Sequence, residues 1–297
     1  MFCKGPRMRA VVTGGLGFLG GELVRRLAGE VVVVDSAQGD DVRDEVALRE
    51  LIRPGDTVFH LAAVRGAESE GDFDLALAVN LDGSRAVLEA CRARGGTRLV
   101  FASTLAVFGG SAMPVEVDEH TRPNPQTTYG TTKAAVELLV ADYRRRGFVD
   151  GRIARLPTIV VRPDAPPLSS SGFASALFRE SLAGRDYDLP VGPDLHLFLI
   201  GVRTAVECLI RLAEVPGPAF GDDCAVDLPG LAVTAGEMVE AARRAGATGR
   251  IGFRPDPEIE AMVGSWPRSA RGERAAALGL PRDESVDAIV REYLDRI

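Results

Sequence analysis

Apolar residues in this chain alternate between two textures: short unbroken blocks, and longer stretches where they recur every three or four positions. Ala10–Val12 is the first block, followed by a helical run to about Ala28, and Glu30–Val34 is the second. A turn at Ser36–Gly39 leads to a predicted helix over Val46–Ile52 that Pro54-Gly55 ends. Thr57–Ala63 reads TVFHLAA, a continuous run of the kind a parallel strand buried on both faces produces. A long helix is predicted from Asp72 to Arg94 on the spacing of Phe73, Leu77, Leu81, Val87 and Leu88, with Gly95-Gly96 as its stop. Leu99–Ala102 is another buried strand, opening into a polar loop over Ser103–Thr128. Tyr129–Arg145 is helical by the period of Val136, Leu139, Val140 and Tyr143, and Gly151–Leu156 is a further strand. Strands alternating with helices in this order imply an α/β fold, a doubly wound parallel sheet of Rossmann type with helices on both faces.

Beyond Pro157 the alternation is lost. Pro157–Gly172 carries four prolines and three successive serines and reads as a loop. Short helices follow at about Phe173–Ala183, Thr204–Glu214, Thr234–Ala245 and Ser285–Arg296, interleaved with short strands such as Ala225–Leu228 and Ile251–Phe253. The expected division is a sheet domain over residues 1–160 and a smaller mixed α/β lobe over 161–297, with later segments free to return to the sheet.

Composition narrows the partners. A net charge of −7 argues against nucleic acid or an anionic membrane, since both are met by clustered Lys and Arg. No apolar run approaches the roughly 18–20 residues that span a bilayer. Met1–Arg9 lacks the apolar stretch of a secretory leader, and Met8 is an alternative start. Cys3, Cys91, Cys208 and Cys224 are scattered, fitting neither a disulfide framework nor a metal knuckle, and His60, His120 and His196 have no paired ligand spacing. The expectation is a cytoplasmic protein without a metal.

Two stretches carry chemistry. In RAVVTGGLGFLG (Arg9–Gly20), Gly14, Gly17 and Gly20 stand three residues apart between a strand and a helix. Gly14 permits the tight turn, Gly17 removes a side chain that would hold a pyrophosphate off the backbone, and Gly20 lets helix pack on strand. The anion then rests on the helix N-terminus, beside Phe18 and Leu19. Asp35 closes the second strand, 22 residues after Thr13, where its carboxylate accepts the adenosine ribose hydroxyls and repels a 2′-phosphate. Ser36–Gly39 supply no Arg to receive one, so NAD is expected rather than NADP.

The second stretch is Thr104 followed by Tyr129-Gly-Thr-Thr-Lys133. Tyr129 and Lys133 are four apart on one helix face, so the lysine is expected to lower the phenol's pKa by about one to three units. Thr104, just past a strand's C-terminal end, would hold the substrate oxygen.

These motifs together resemble the extended (atypical) short-chain dehydrogenase/reductase family, the superfamily of NAD-dependent epimerases and dehydratases. The matching residues are TGGLGFLG, Asp35, the Asp41-Val42 pair, HLAA (His60–Ala63), Asn80, STLAVFG (Ser103–Gly109) and YGTTK. The resemblance implies a catalytic set of Thr104, Tyr129 and Lys133. It implies that Asp41 and Val42 flank adenine, Leu61, Ala62 and Ala63 line the cofactor, Lys133 also holds the nicotinamide ribose, and Pro157 contacts the cofactor. It also places Thr158 at the substrate, with Ser103 beside Thr104, while His60 becomes a strand residue and Asn80 stands open between cofactor contact and core.

Asp72–Arg92, Arg145–Pro163, Phe173–Glu180 and Gly264–Ser269 are similar to one branch of that family, dehydrogenases that oxidise the four-carbon sugar acid D-erythronate at C2 to a 2-oxo-tetronate. A small sugar acid is then the expected partner, with Arg65, Arg162, Arg179, His196 and Arg203 as candidates for its carboxylate. A homodimer through the helices at Asp72–Arg94 and Tyr129–Arg145 is implied as well. The alternatives are a nucleotide-sugar epimerase using the same three residues and a non-catalytic NAD-sensing regulator, which has no need for Tyr129 and Lys133.

Overall fold

The computed structural model describes residues 9–163 and 171–296. Its strands are β1 (Ala10–Thr13), β2 (Val31–Val34), β3 (Thr57–His60), β4 (Arg98–Thr104), β5 (Glu116–Val117), β6 (Asp150–Leu156), β7 (Thr158–Val160), β8 (Tyr187–Leu189), β9 (His196–Gly201), β10 (Ala225–Asp227), β11 (Leu231–Thr234), β12 (Ile251–Phe253) and β13 (Ser269–Ala270). The α-helices are α1 (Phe18–Arg26), α2 (Glu45–Leu51), α3 (Gly66–Gly71), α4 (Phe73–Ala76), α5 (Ser84–Arg94), α6 (Thr128–Arg145), α7 (Gly172–Leu182), α8 (Val202–Glu214), α9 (Ala235–Arg244), α10 (Pro257–Gly264), α11 (Glu273–Ala277) and α12 (Val286–Leu294).

Six strands form one parallel sheet in the order β10-β6-β4-β3-β1-β2. The chain steps outward from β1 to β2, then crosses back to lay β3 on β1's other side, so the loops after β1 and β3 diverge and open a crevice at the strand ends. One face buries Val11, Val58 and Phe101 with Leu48 of α2, Val87 of α5 and Val136 of α6. The other buries Val12, Phe59 and Val100 with Leu23 of α1 and Val206 and Leu209 of α8. The unbroken apolar blocks follow from this: each strand has a core on both sides. Among the described residues no helix is long and apolar enough to cross a membrane.

The C-terminal segments build a second cluster. The sheet β11-β9-β7 and the pair β12-β8 bury Leu189, Leu197 and Leu199 against Phe173 and Leu177 of α7, Met238 of α9 and Ile289 of α12.

Three elements depart from the expected ones. Thr158–Val160, read as loop, is a strand because β9, some forty positions later, offers it a parallel partner. Ala225–Asp227, read with the later lobe, is the sixth strand of the main sheet, in register with Ile153–Arg155. The single helix expected over Asp72–Arg94 is α4, a wider π-helical turn at Leu77–Gly83, and α5. That turn carries Asn80, whose amide is bound to the chain after β3. The segment 164–170 of the expected proline-rich loop lies outside the described residues, as do Met1–Met8 with the alternative start.

Candidate active site

The glycine loop at the end of β1 takes the shape its spacing demands. Gly14 has φ +71°, and a Cβ there would lie 2.8 Å from the Ala62 backbone N, so any side chain would strike the end of β3. A Cβ on Gly20 would lie 2.0 Å from the Gly14 O, whereas one on Gly17 would meet little but that oxygen at 3.3 Å and would project into the crevice. No side chain of the described residues caps the first turn of α1, leaving its N–H groups for an anion. Phe18 and Leu19 open this helix half-buried, Leu19 packed against the sheet core. Asp35 holds the loop: its Oδ2 accepts from the Leu16 N at 2.9 Å and its Oδ1 from the Ala37 N at 3.0 Å. Leu61, Ala62 and Ala63 continue β3 along the same crevice, with the Leu61 N donating to the Thr13 O at 3.1 Å. These residues fit an adenine dinucleotide, in a cradle whose close packing of loop, strand and helix side chains at Gly14 or Gly20 would break. Val42 is buried against Gly83 of the π-helical turn, and the exposed Asp41 carboxylate pairs with Arg43, which holds it below the usual carboxylate range. Asp41 stays exposed, its remaining lone pairs open to the crevice side or to solvent.

Tyr129 and Lys133 rise from the first turns of α6. Thr127 caps that helix, accepting from the Gly130 N at 3.0 Å, and Glu70 accepts from the Thr128 N at 2.7 Å. A Cβ at Gly130 would stand 2.2 Å from the Ala106 O, so only glycine lets the helix start lie against the turn that follows Thr104. The Thr104 Oγ1 accepts from the Ala106 N at 3.1 Å, which leaves its hydroxyl proton to donate. Lys133 is buried; its Nζ donates to the Ala102 O at 2.8 Å and stands 4.5 Å from the Phe101 ring centre and 5.8 Å from that of Tyr129. The chain has 33 arginines and only two lysines, Lys4 and Lys133. A titratable point charge is thus kept where a guanidinium would not serve.

Electrostatics here differ from the expectation. Burial pushes Lys133 down to about 7, helped by the charge of Arg65 and opposed by that of Glu137. Burial also raises the Tyr129 phenol, and the charges that pull it back down are those of Arg65 and Arg162 rather than Lys133. Desolvation leaves Lys133 a weakened cation, and the two arginines add the charge that draws the phenol down.

Arg162 follows β7. Its Nη2 donates to the Ser171 Oγ at 3.0 Å, its Nε is buried without a partner among the described residues, and burial with the like charge of Arg65 brings it to about 10, still charged at neutral pH. Arg65 and Arg162 have no carboxylate partner among the described residues, whereas Arg179 pairs with Glu180 and Arg203 with Glu207.

The remaining expected residues divide. Pro157 is buried between β6 and β7, and Thr158 opens β7 half-buried. Ser103 does not face the site: it is buried and its hydroxyl donates to Glu137. Asn80 is resolved toward the core, its Oδ1 accepting from the Val64 N at 2.8 Å and its Nδ2 donating to the Val64 O at 3.0 Å and the Thr132 Oγ1 at 3.2 Å. His196 is exposed and lines a cavity of about 180 Å³ with Asp194, Trp266 and Arg268, while the charges that bear on Tyr129 are those of Arg65 and Arg162.

His60 is the strand residue expected. Ser84 donates its hydroxyl to the Asn80 O, so His60 Nε2 carries the proton it gives Ser84 at 2.8 Å, and Nδ1 accepts from Thr13 at 2.7 Å. Burial, then the Lys133 charge, holds the ring down to about 3. Below pH 6.5 the unfolded chain binds a proton that the folded one refuses, so this group costs stability as pH falls toward 3, by about 1.4 kcal/mol per unit at the steepest. Asp227, held up to about 7, contributes the opposite slope. The expected result is that the melting-temperature gap between wild type and His60→Asn narrows from pH 7 to pH 5; a constant gap would contradict it.

The model for the NAD dependent epimerase/dehydratase family matches residues 10–196, from β1 through α6 to the start of β9. The chain belongs to that family. Within it, a D-erythronate dehydrogenase of Cupriavidus necator is 43% identical over 97% of this chain and 98% of its own. One from Haemophilus influenzae is 34% identical over 97% and 99%. The crystal structure of a nucleoside-diphosphate-sugar epimerase from Agrobacterium tumefaciens superposes with a TM-score of 0.89 at 32% identity, covering 97% of this chain and 94% of that one.

Two features of this family member escaped the sequence reading. Arg65 and Arg162 could not be singled out among five candidates, since their approach to Tyr129 depends on loops folded from distant segments. Glu137 is the second: it stands four residues after Lys133 on the same helical face, a spacing open to inspection along the chain.

Proposed function

We propose that this protein oxidises the C2 hydroxyl of a small sugar acid, D-erythronate, to the 2-oxo acid with reduction of NAD. The observation that carries this reading is the pair Arg65 and Arg162: two cations without a carboxylate partner among the described residues, both acting on the Tyr129 phenol. A hydroxy acid brings its own carboxylate to such a place, and guanidinium pairs with carboxylate bidentately. The two D-erythronate dehydrogenases, similar along nearly their whole length, support the choice of substrate.

In this reading Tyr129 as phenolate takes the hydroxyl proton and Thr104 donates a hydrogen bond to the reacting oxygen. Lys133 holds positive charge beneath the phenol, and Arg65 with Arg162 orients the acid so that C2 faces the crevice. The glycine cradle and Asp35 hold the dinucleotide, which supplies the hydride acceptor when bound. The expected result is NADH absorbance growing with D-erythronate in a panel of four- to six-carbon aldonic and uronic acids. Turnover of a UDP-sugar with retained cofactor, and no reaction with any acid of the panel, would establish the epimerase instead.

A further inference from the structure

We propose that Glu137 is a positioning residue for this reaction: clamped by Ser103 and Arg155, its carboxylate is the fixed counter-charge that keeps the Lys133 ammonium beside Tyr129. The proposal rests on the dehydrogenase reading for the reaction and on geometry for the rest. Tyr129, Lys133 and Glu137 follow at four-residue steps along α6, one above the other. The last three residues of β4 meet this face. The Ala102 O accepts from Lys133, Ser103 donates to Glu137, and Thr104 ends the strand in the substrate crevice.

Arg155 completes the clamp from the neighbouring strand, where it is in register with Ser103. Its Nε donates to both Glu137 oxygens at 3.0 and 3.1 Å and its Nη2 to Oε2 at 2.8 Å, while its Nη1 reaches the Asp227 Oδ1 at 3.3 Å. Phe108 covers the guanidinium at 4.9 Å. All four polar side chains are buried. Glu137 therefore cannot swing away, and its charge is felt at Lys133, where burial and Arg65 both act against the ammonium. The charged and titratable groups that bear on Lys133 are Tyr129 and Glu137 on its own helix, Arg65 ahead of α3 and His60 on β3. Those bearing on Glu137 are Arg155 on β6, with Asp227 and Cys224 from the β10 strand and its approach.

The test reads Lys133 directly. With two lysines in the chain, protein carrying ¹³C at lysine Cε gives two signals, and Lys133→Arg identifies which is which. Wild-type Lys133 is expected to titrate near the value of about 7 set by its burial. Glu137→Gln should lower that midpoint by about one unit. Ser103→Ala, which keeps both charges and frees one carboxylate oxygen, should lower it by less. The pH at which the rising limb of kcat levels off, measured with the hydroxy acid the wild type oxidises, should fall by the same amounts. A midpoint unmoved in Glu137→Gln overturns the proposal, and so does a midpoint that moves without the kcat limb following. Should Glu137→Gln not fold, an unmoved midpoint in Ser103→Ala overturns it equally. If no sugar acid is oxidised but the midpoint shifts as expected, the dehydrogenase reading fails while the hold of Glu137 on Lys133 stands.

Discussion

Tyr129→Phe is expected to lower kcat for sugar-acid oxidation about a thousandfold, within the range that a positioned proton acceptor contributes. The substitution deletes one oxygen and keeps the ring that the Lys133 Nζ faces at 5.8 Å. Stability and NAD-induced thermal stabilisation should remain near wild type, because the cradle of Gly14, Gly17, Gly20 and Asp35 lies on other elements. The pH profile of the wild type belongs to the same prediction. Burial raises the phenol above its ordinary value of about 10, and Arg65 and Arg162 oppose that rise, so kcat should increase toward alkaline pH until Lys133 loses its proton. A Tyr129→Phe enzyme with kcat within a few-fold of wild type would remove this residue as the base.

Arg162→Met is expected to raise KM for the acid on the order of a hundredfold, the scale of losing one partner of a desolvated charge pair. Methionine fills much of the same volume, so the fold should tolerate the change. The clearest readout is discrimination. Wild type should prefer D-erythronate strongly over the uncharged polyol of the same length, and the variant should lose most of that preference. Arg162 also helps to hold the phenol down, so the alkaline rise of kcat should begin at higher pH in the variant. If KM for the acid and the preference over the polyol both survive, the carboxylate is bound elsewhere, and the cavity beside His196 and Arg268 becomes the place to look.

Much of this was legible along the chain because it depends on neighbours in sequence. The β1 turn needs glycine at Gly14 whatever surrounds it, since φ is positive there. The spacing of Tyr129 and Lys133 puts them on one face of any helix that forms. Burial on both sides of the sheet shows in Thr57–Ala63 without knowledge of which helices provide it. The rest was hidden for equally plain reasons. Ser103 beside Thr104 was expected at the substrate, yet adjacent strand residues point to opposite faces, and the inward one met Glu137. Asn80 could have served cofactor or core until the chain after β3 was seen to take both ends of its amide. His196 lines a cavity with Trp266 and Arg268, neighbours that only the packed segments bring to it.

By itself the sequence determined the alternation of strand and helix, the glycine cradle, the acidic end of β2 and the shared helix face of Tyr129 and Lys133, because each is settled by backbone sterics or by periodicity within one or two elements. The tertiary structure alone decided that β10 returns to the sheet to bring Asp227 onto Arg155, that Arg65 and Arg162 charge the surroundings of Tyr129, and that Lys133 is a weakened cation braced by Glu137. Those outcomes depend on desolvation and on charges meeting across the fold, quantities that exist only once distant segments have packed together.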